Sequence, residues 1–271
     1  MLGILSIIMS ELSQKLAGLV ERSVAECTEG RNVAIAFSGG LDSGLVAALA
    51  KKHAASVSLY TVGTRGSHDV AAAKEIAPLL GLDLTVIDLE DEQIIDNLRD
   101  QMRITGTDSP LTLAFEMPLY CVMRNCRESL ILGGQGADEL FAGYSKYVGM
   151  KDLQMRDEMA KDLAKLYTST KSHEAKMGAF FGKTVKYAYL DKEIVALSRN
   201  VPTEALRPID DDVRKKLLSD AARDLGFDFL ADRKKKAAQY GSGTMDAVRR
   251  ICKSRGTTYN QLVDGLKKEL E

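Results

Sequence analysis

Two rhythms of apolar and polar residues alternate along the first half of the 271-residue chain. From Leu12 to Ala25, apolar residues at Leu12, Leu16, Leu19 and Val20 stand between charges, the spacing of an amphipathic helix. Val33, Ile35 and Phe37 then form a β-rich run, the pattern of a buried strand, which Gly39-Gly40 break. Asp42 and Ser43 open the stretch Leu45, Val46 and Leu49, whose spacing predicts a helix to about His53. The cycle then repeats. Val57–Val62 predicts a second strand and Gly63–His68 a loop, and Val70–Leu80 predicts a helix with Asp69 as N-cap and Gly81 as its stop. A third strand is expected over Leu84–Asp88, helices over Glu92–Arg103 and Leu111–Cys126, and a kink at Pro118. A fourth strand, Ser129–Leu132, runs into Gly133-Gly-Gln-Gly136.

Strands alternating with helices predict an α/β fold built on a parallel sheet with both faces covered. Ligands of such sheets bind at the carboxyl ends of the strands, near a topological switch point. Both glycine turns follow strand ends, so they are expected on one edge of the sheet. After Tyr144 the pattern is mostly helical, over Met150–Leu166, Lys192–Leu197, Asp212–Leu225 and Met245–Lys253, with few strand signals. Lys171–Gly182 has no clear rhythm. The expected organisation is a single unit over 1–271, with a binding core at 27–149 and a helical part at 150–271.

Composition narrows the function. The 37 basic and 38 acidic residues leave a net charge of −1, which argues against a protein wrapped by nucleic acid. Two short basic runs, Arg214-Lys215-Lys216 and Arg233–Lys236, keep a local nucleic-acid contact open. The four cysteines show no CxxC spacing, as expected of thiols in a reducing cytosol and not of a zinc site. His53, His68 and His173 are isolated in sequence, so a histidine-based metal site or triad has little support. Met1–Met9 is apolar but lacks the basic region and cleavage site of a signal peptide, and no run approaches transmembrane length. A cytoplasmic protein is expected.

The chemistry begins at the first turn. A strand that turns through glycines into a helix directs backbone N–H groups and the helix's partial positive charge at one point. Phe37, Ser38, Gly39, Gly40, Asp42 and Ser43 therefore predict a phosphate cradle. The turn is neither a Walker loop nor a Rossmann fingerprint, since GxxxxGK[ST] and GxGxxG are both absent.

Ser38-Gly-Gly-Leu-Asp-Ser43 resembles the pyrophosphatase loop (PP-loop) of the N-type ATP pyrophosphatases. Gly133-Gly-Gln-Gly-Ala-Asp-Glu-Leu-Phe-Ala-Gly-Tyr144 is similar to the Gly-x-Gly-Ala/Ser-Asp-Glu segment of asparagine synthetases and β-lactam synthetases. Tyr60-Thr-Val-Gly63, with Ser67-His-Asp69 and Ala72, resembles their adenosine-contacting loop. Tyr189-Leu-Asp191, Leu217-Leu218 and Arg233-Lys-Lys-Lys-Ala-Ala-Gln-Tyr-Gly-Ser-Gly243 match the C-terminal half in order. The resemblance covers about residues 30–245. It implies an adenine nucleotide α-hydrolase-like (HUP) core and an enzyme that cleaves ATP between the α and β phosphates. Such an enzyme adenylates a substrate oxygen and lets a nitrogen or sulfur nucleophile displace AMP.

The resemblance also assigns residues. Phe37 to Ser43, Val62, Gly63, Gly133 and Gly134 would hold ATP and its pyrophosphate. Asp42 and Asp138 would hold Mg²⁺, which prefers oxygen ligands and bridges phosphates, although either Asp by itself could equally be a helix cap. Lys235 falls on the lysine that the family uses against developing charge, picked from its basic run by position alone. Gln135 stands where one branch has Glu; a neutral amide positions a substrate or ammonia by hydrogen bonds and is no general base. Glu139, Gly143 and Tyr144 would order the loop carrying Asp138.

Two departures qualify the resemblance. Residue 2 is Leu2, where the glutamine-dependent enzymes place a catalytic cysteine, so their glutaminase domain is expected to be absent. Nitrogen would then come from ammonia in solution or from a partner glutaminase chain. The family's Gly-x-Glu-x-Arg-x-Pro-Phe-Leu-Asp is here Gly182-Lys-Thr-Val-Lys-Tyr-Ala-Tyr-Leu-Asp191, with Thr184, Lys186 and Ala188 at the altered positions. Lys does not reproduce a bidentate Arg, so the acceptor need not be aspartate. The leading expectation is an ATP- and Mg²⁺-dependent amide-forming ligase. A PP-loop ligase for another carboxylate or a tRNA base, and a non-catalytic ATP-binding subunit, stand beside it, and a homo-oligomer is left open.

Overall fold

Five strands form one sheet: β1 (Asn32–Ala36), β2 (Ser56–Gly63), β3 (Leu84–Asp88), β4 (Leu130–Leu132) and β5 (Thr184–Lys186). All pairings are parallel, and the order is β3-β2-β1-β4-β5. This α/β architecture is the one that the alternating pattern predicts. The structure, a computed structural model, describes residues 2–210, 213–231 and 238–271.

The strand side chains divide with period two. Val33, Ile35, Leu59, Leu130 and Leu132 enter one apolar core, and Ala34, Tyr60, Val62 and Ile131 enter the other. The first core is covered by α1 (Leu2–Thr28), α2 (Leu41–His53) and α3 (His68–Leu80). The second is covered by α4 (Asp91–Thr105) and α5 (Pro110–Asn125). The chain moves outward from β1 to β2 and β3, then crosses back to lay β4 on the other side of β1. The carboxyl ends of β1 and β4 therefore flank the switch point, where α/β sheets open a crevice.

Beyond β4 come α6 (Ala137–Leu140), α7 (Asp152–Lys165) and α8 (Lys171–Phe181). A π-helical turn, Leu166–Thr170, joins the last two. After β5 follow α9 (Lys192–Asn200), α10 (Thr203–Leu206), α11 (Lys216–Asp224), α12 (Asp228–Ala231), α13 (Ala238–Gly241), α14 (Thr244–Ser254) and α15 (Tyr259–Leu270). α1 packs along α11, and Ser13 Oγ donates to Asp224 Oδ2 at 2.5 Å. No helix among the described residues is long and apolar enough to cross a membrane. Cys121, Cys126 and Cys252 are buried, and burial pushes their thiols up, away from reactive thiolate.

Several local expectations change. The N-cap of α3 is Ser67 in extended conformation, and Asp69 lies inside the first turn, where its Oδ1 is 3.2 Å from His68 Nδ1. Gly81 ends that helix in the left-handed conformation, as the sequence predicts. α5 continues through Pro118. Lys171–Phe181, without a legible rhythm, is helical, and β5 carries no sequence signal beyond Val185.

Candidate functional site

The first glycine turn is shaped by its own hydroxyls. Ser38 N donates to Ser43 Oγ at 3.2 Å, the two serine hydroxyls are 3.2 Å apart, and Gly40 N donates to Ser38 Oγ at 3.4 Å. Gly40 caps α2, so the amino end of a 13-residue helix faces the turn. Gly39 has φ +72°, and a Cβ on it would lie 2.4 Å from the carbonyl carbon of Ala72. The turn is therefore pressed against the backbone of α3, which glycine alone permits.

The second turn closes on the first. A Cβ on Gly134 would lie 2.6 Å from Asp42 Cβ, so the two turns, far apart in sequence, touch. Asp138, on α6, comes to the same place. Between Asp42 and Asp138 stands Lys215, a member of the basic run that left a nucleic-acid contact open. Its Nζ donates to both carboxylate oxygens of Asp42 at 2.5 Å and lies 3.2 Å from Asp138 Oδ1. Lys215 is 4% exposed and holds φ +56°, an uncommon conformation for a residue with a Cβ. Such strain gathers at functional sites and costs on the order of 1–3 kcal/mol. Lys216 is the exposed member of the run and pairs with Asp220 at 2.6 Å.

These turns form one wall of a cavity with an empty volume of about 1070 Å³, open mouth included. Phe37, Ser38, Asp42, Ser43, Val62, Gly134, Gln135 and Asp138 line it, whereas Gly39, Gly40, Gly63 and Gly133 are not among its lining residues. Apolar residues of α5, among them Phe115, Pro118, Leu119 and Val122, also line it. Behind the first turn, the buried Tyr189 donates its hydroxyl to the Asp42 carbonyl at 3.0 Å. Tyr144 donates to Glu139 Oε1 at 2.7 Å, tying down the loop that carries Asp138.

Lys235, with the rest of its run, lies outside the described residues. The residues before and after it reach the site. Leu230 packs against Gly44 of α2, and Ser242 accepts a hydrogen bond at its carbonyl from Thr64 N at 2.9 Å. Thr184 and Lys186 are exposed on the edge strand and do not line the cavity, and Ala188 is buried, its carbonyl accepting from Ser23 Oγ at 2.7 Å.

A polar group that the sequence did not reveal closes the far end. Glu116 of α5 pairs with His173 of α8 at 2.9 Å, so His173 is not isolated in the fold. Glu174 accepts from Gln135 Nε2 at 3.3 Å and from the Tyr187 hydroxyl. Burial pushes the Glu116 carboxyl up to about 8 and Glu174 up to about 7, and it holds His173 below the usual histidine range. The folded chain thus keeps protons on two carboxyls that the unfolded chain, at the ordinary value of 4.5, releases. Stability contributed this way is complete below about 4.5 and is lost as pH rises through 7 and 8. His173 acts oppositely, weakening the fold only below its unfolded value. The melting temperature is expected to fall between pH 6 and 8.5 by ~1.4 kcal/mol of stability per pH unit per retained proton. Glu116→Gln should flatten that decline; an unchanged slope in calorimetry would exclude Glu116 as its source.

The carboxylate pair also passes a test of fit for a metal. Asp42 and Asp138 converge from separate turns on one cationic point and present hard oxygen donors, the ligand type of Mg²⁺. Among the described residues no third His, Cys, Asp or Glu joins them, so phosphate oxygens and water would complete the coordination.

Comparison with known proteins places these features. Residues 15–156 match the family model described as Asparagine synthase. A putative glutamine-hydrolysing asparagine synthetase of Methanocaldococcus jannaschii is 28% identical, covering 96% of this chain and 56% of its own length. Asparagine synthetase B of Escherichia coli, also named as glutamine-hydrolysing, is 25% identical over 62% of this chain and 33% of its own. The chain thus spans about half, or less, of the relatives it matches. Among solved structures, the NMN synthetase of Francisella tularensis covers 96% of this chain and 86% of its own, at 16% identity and a TM-score of 0.44.

Proposed function

Because the chain belongs to the asparagine synthase family, we propose that it is an ATP-dependent ligase that adenylates a carboxylate and then forms an amide. The observation that supports this most is the meeting of Asp42 and Asp138 from two glycine turns, with Lys215 between them, at the amino end of α2. That arrangement suits the departure of pyrophosphate, where charge develops on phosphate oxygens.

The roles follow from position. Ser38 to Ser43 cradle the β and γ phosphates, and Val62 and Gly63 take the adenosine side. Bound Mg²⁺, held by Asp42 and Asp138, would supply charge neutralisation on those phosphates. A substrate carboxylate oxygen attacks the α phosphorus, pyrophosphate leaves, and a nitrogen nucleophile then displaces AMP from the acyl carbon. Lys215 holds the carboxylate pair together, Lys235 is assigned to the developing charge, and Gln135 orients by hydrogen bonds. The reading treats 1–271 as one synthetase unit, with ATP at 27–149 and a helical part, 150–271, that carries Lys235. Nitrogen would be ammonia from solution or from a glutaminase chain. The four free cysteines suit the cytoplasm. The acceptor is kept at the level of a carboxylate. No Lys or Arg among the described residues lines the cavity to meet the second carboxylate of aspartate.

Exchange of labelled pyrophosphate into ATP, scanned over aspartate, other amino acids and RNA, tests the reading. Exchange driven by an amino acid or other carboxylate supports it. Exchange driven by RNA favours a tRNA ligase, and ATP binding without AMP under any acceptor favours a non-catalytic subunit. Lys235→Ala should lower kcat by ~10²–10³ with little effect on folding, as loss of a focused electrostatic stabiliser does. A loss below about tenfold would remove Lys235 from the mechanism.

A further inference from the structure

Part of the cavity lining, Glu116 and Glu174, lies outside the residues assigned above to ATP. Glu116 is 2% exposed and lines the cavity, yet its Oε2 has no hydrogen-bond partner among the described residues. Its other oxygen is taken by His173 Nδ1 at 2.9 Å. Beside it in the lining lies Glu174, also 2% exposed, with both oxygens already accepting, from Gln135 and Tyr187. A buried carboxylate oxygen without a donor is unfavourable until a guest supplies one. A guest that brings N–H donors and a positive charge can take the place of the proton that burial holds on this carboxyl.

Resting on the amide-forming reading above, we propose that this end of the cavity is an ammonium subsite, in which Glu116 Oε2 receives the –NH₃⁺ or NH₄⁺ form of the nitrogen substrate, which attacks only after giving up a proton, the Glu116 carboxylate being the base beside it. The place fits the reaction. Gln135, which donates to Glu174, sits in the turn three residues before Asp138, so the subsite and the phosphate end share one continuous wall. The charged groups around Glu116 are His173 and Glu174 of α8 and, at longer range, Lys165 at the end of α7. The raised proton affinity of the empty Glu116 agrees with a carboxyl waiting for a counter-charge. Binding a cation would hold it ionised.

Two measurements on the full chain, neither requiring turnover, test this. Melting curves are recorded in ammonium chloride, methylammonium chloride, sodium acetate and sodium chloride at matched ionic strength. Ammonium is expected to stabilise the wild type above sodium chloride, with an apparent Kd at least about tenfold weaker in Glu116→Gln. Stabilisation by ammonium alone fits the subsite to NH₄⁺, and stabilisation by methylammonium as well fits it to a primary ammonium group. Should Glu116→Gln not fold, crystals of the wild type soaked with thallium(I), an ammonium-sized cation, should show an anomalous peak beside Glu116 Oε2. No ammonium effect beyond sodium chloride, an equal effect in folded Glu116→Gln, stabilisation by acetate in its place, or a wild-type crystal without that peak overturns the subsite. If ammonium binds at Glu116 while no carboxylate drives pyrophosphate exchange, the ligase reading fails by itself. If exchange proceeds and ammonium does not bind, the subsite fails alone.

Discussion

A Lys215→Met chain is expected to lose both turnover and stability, the former by ~10²–10³ in kcat. The Lys215 ammonium donates to both Asp42 oxygens and stands 3.2 Å from Asp138 Oδ1. Methionine keeps the buried stem and deletes the charge. Two carboxylates then face each other in a largely buried place. Removing one partner of a buried ion pair costs ~3–5 kcal/mol, because it strands the remaining charge. Magnesium chloride should recover part of the lost melting temperature and sodium chloride at equal ionic strength should not, since a divalent cation can seat between the carboxylates. Lys215→Met with wild-type pyrophosphate exchange would show that the lysine is only a strut. A melting temperature indifferent to magnesium would count against Asp42 and Asp138 as its ligands.

Gly39→Ala should be strongly damaging, because the added methyl meets backbone on the neighbouring helix. Its Cβ would meet the backbone of Ala72 at 2.4 Å and of Ala73 at 2.5 Å, at φ +72°. Neither neighbour is a side chain that can swing aside, so the turn or the first coils of α3 must move. Overpacking costs ~1–3 kcal/mol, and the left-handed conformation adds ~1–2 kcal/mol. For a chain of this size the sum corresponds to a melting temperature lower by on the order of 10 °C, together with lost ATP binding. Gly40→Ala is the control. Gly40 has φ −84°, and a Cβ there meets only Ser38 Oγ at 3.4 Å. Equal destabilisation by the two substitutions would refute the account of the turn.

What the sequence reveals, and what it conceals, divides along a physical line. The strands β1 to β4 and their glycine turns are local events, written in runs of apolar residues and their interruption. β5 is three residues on a sheet edge, exposed at both Thr184 and Lys186, so no apolar alternation marks it. Asp69 has the residue type of an N-cap, but Ser67 takes the extended backbone that begins α3. Lys215 reads as one of three surface cations, because its partner Asp42 is 173 residues away. The pairing of Glu116 with His173 likewise spans 57 residues. Type and spacing expose the motifs of the nucleotide end; the buried ionic groups are consequences of how distant helices pack, and no local pattern carries them.

The packing of α1 on α11 bears on the order of synthesis. α1 waits for a partner much later in the chain, with Ser13 and Asp224 separated by 211 positions. Lys215 is the N-cap of that late partner. A chain grown through α6 already has both glycine turns and both carboxylates, while the cation that joins them is still to be made. Products that stop before Lys215 would carry two glycine turns whose carboxylates lack the cation that holds them together.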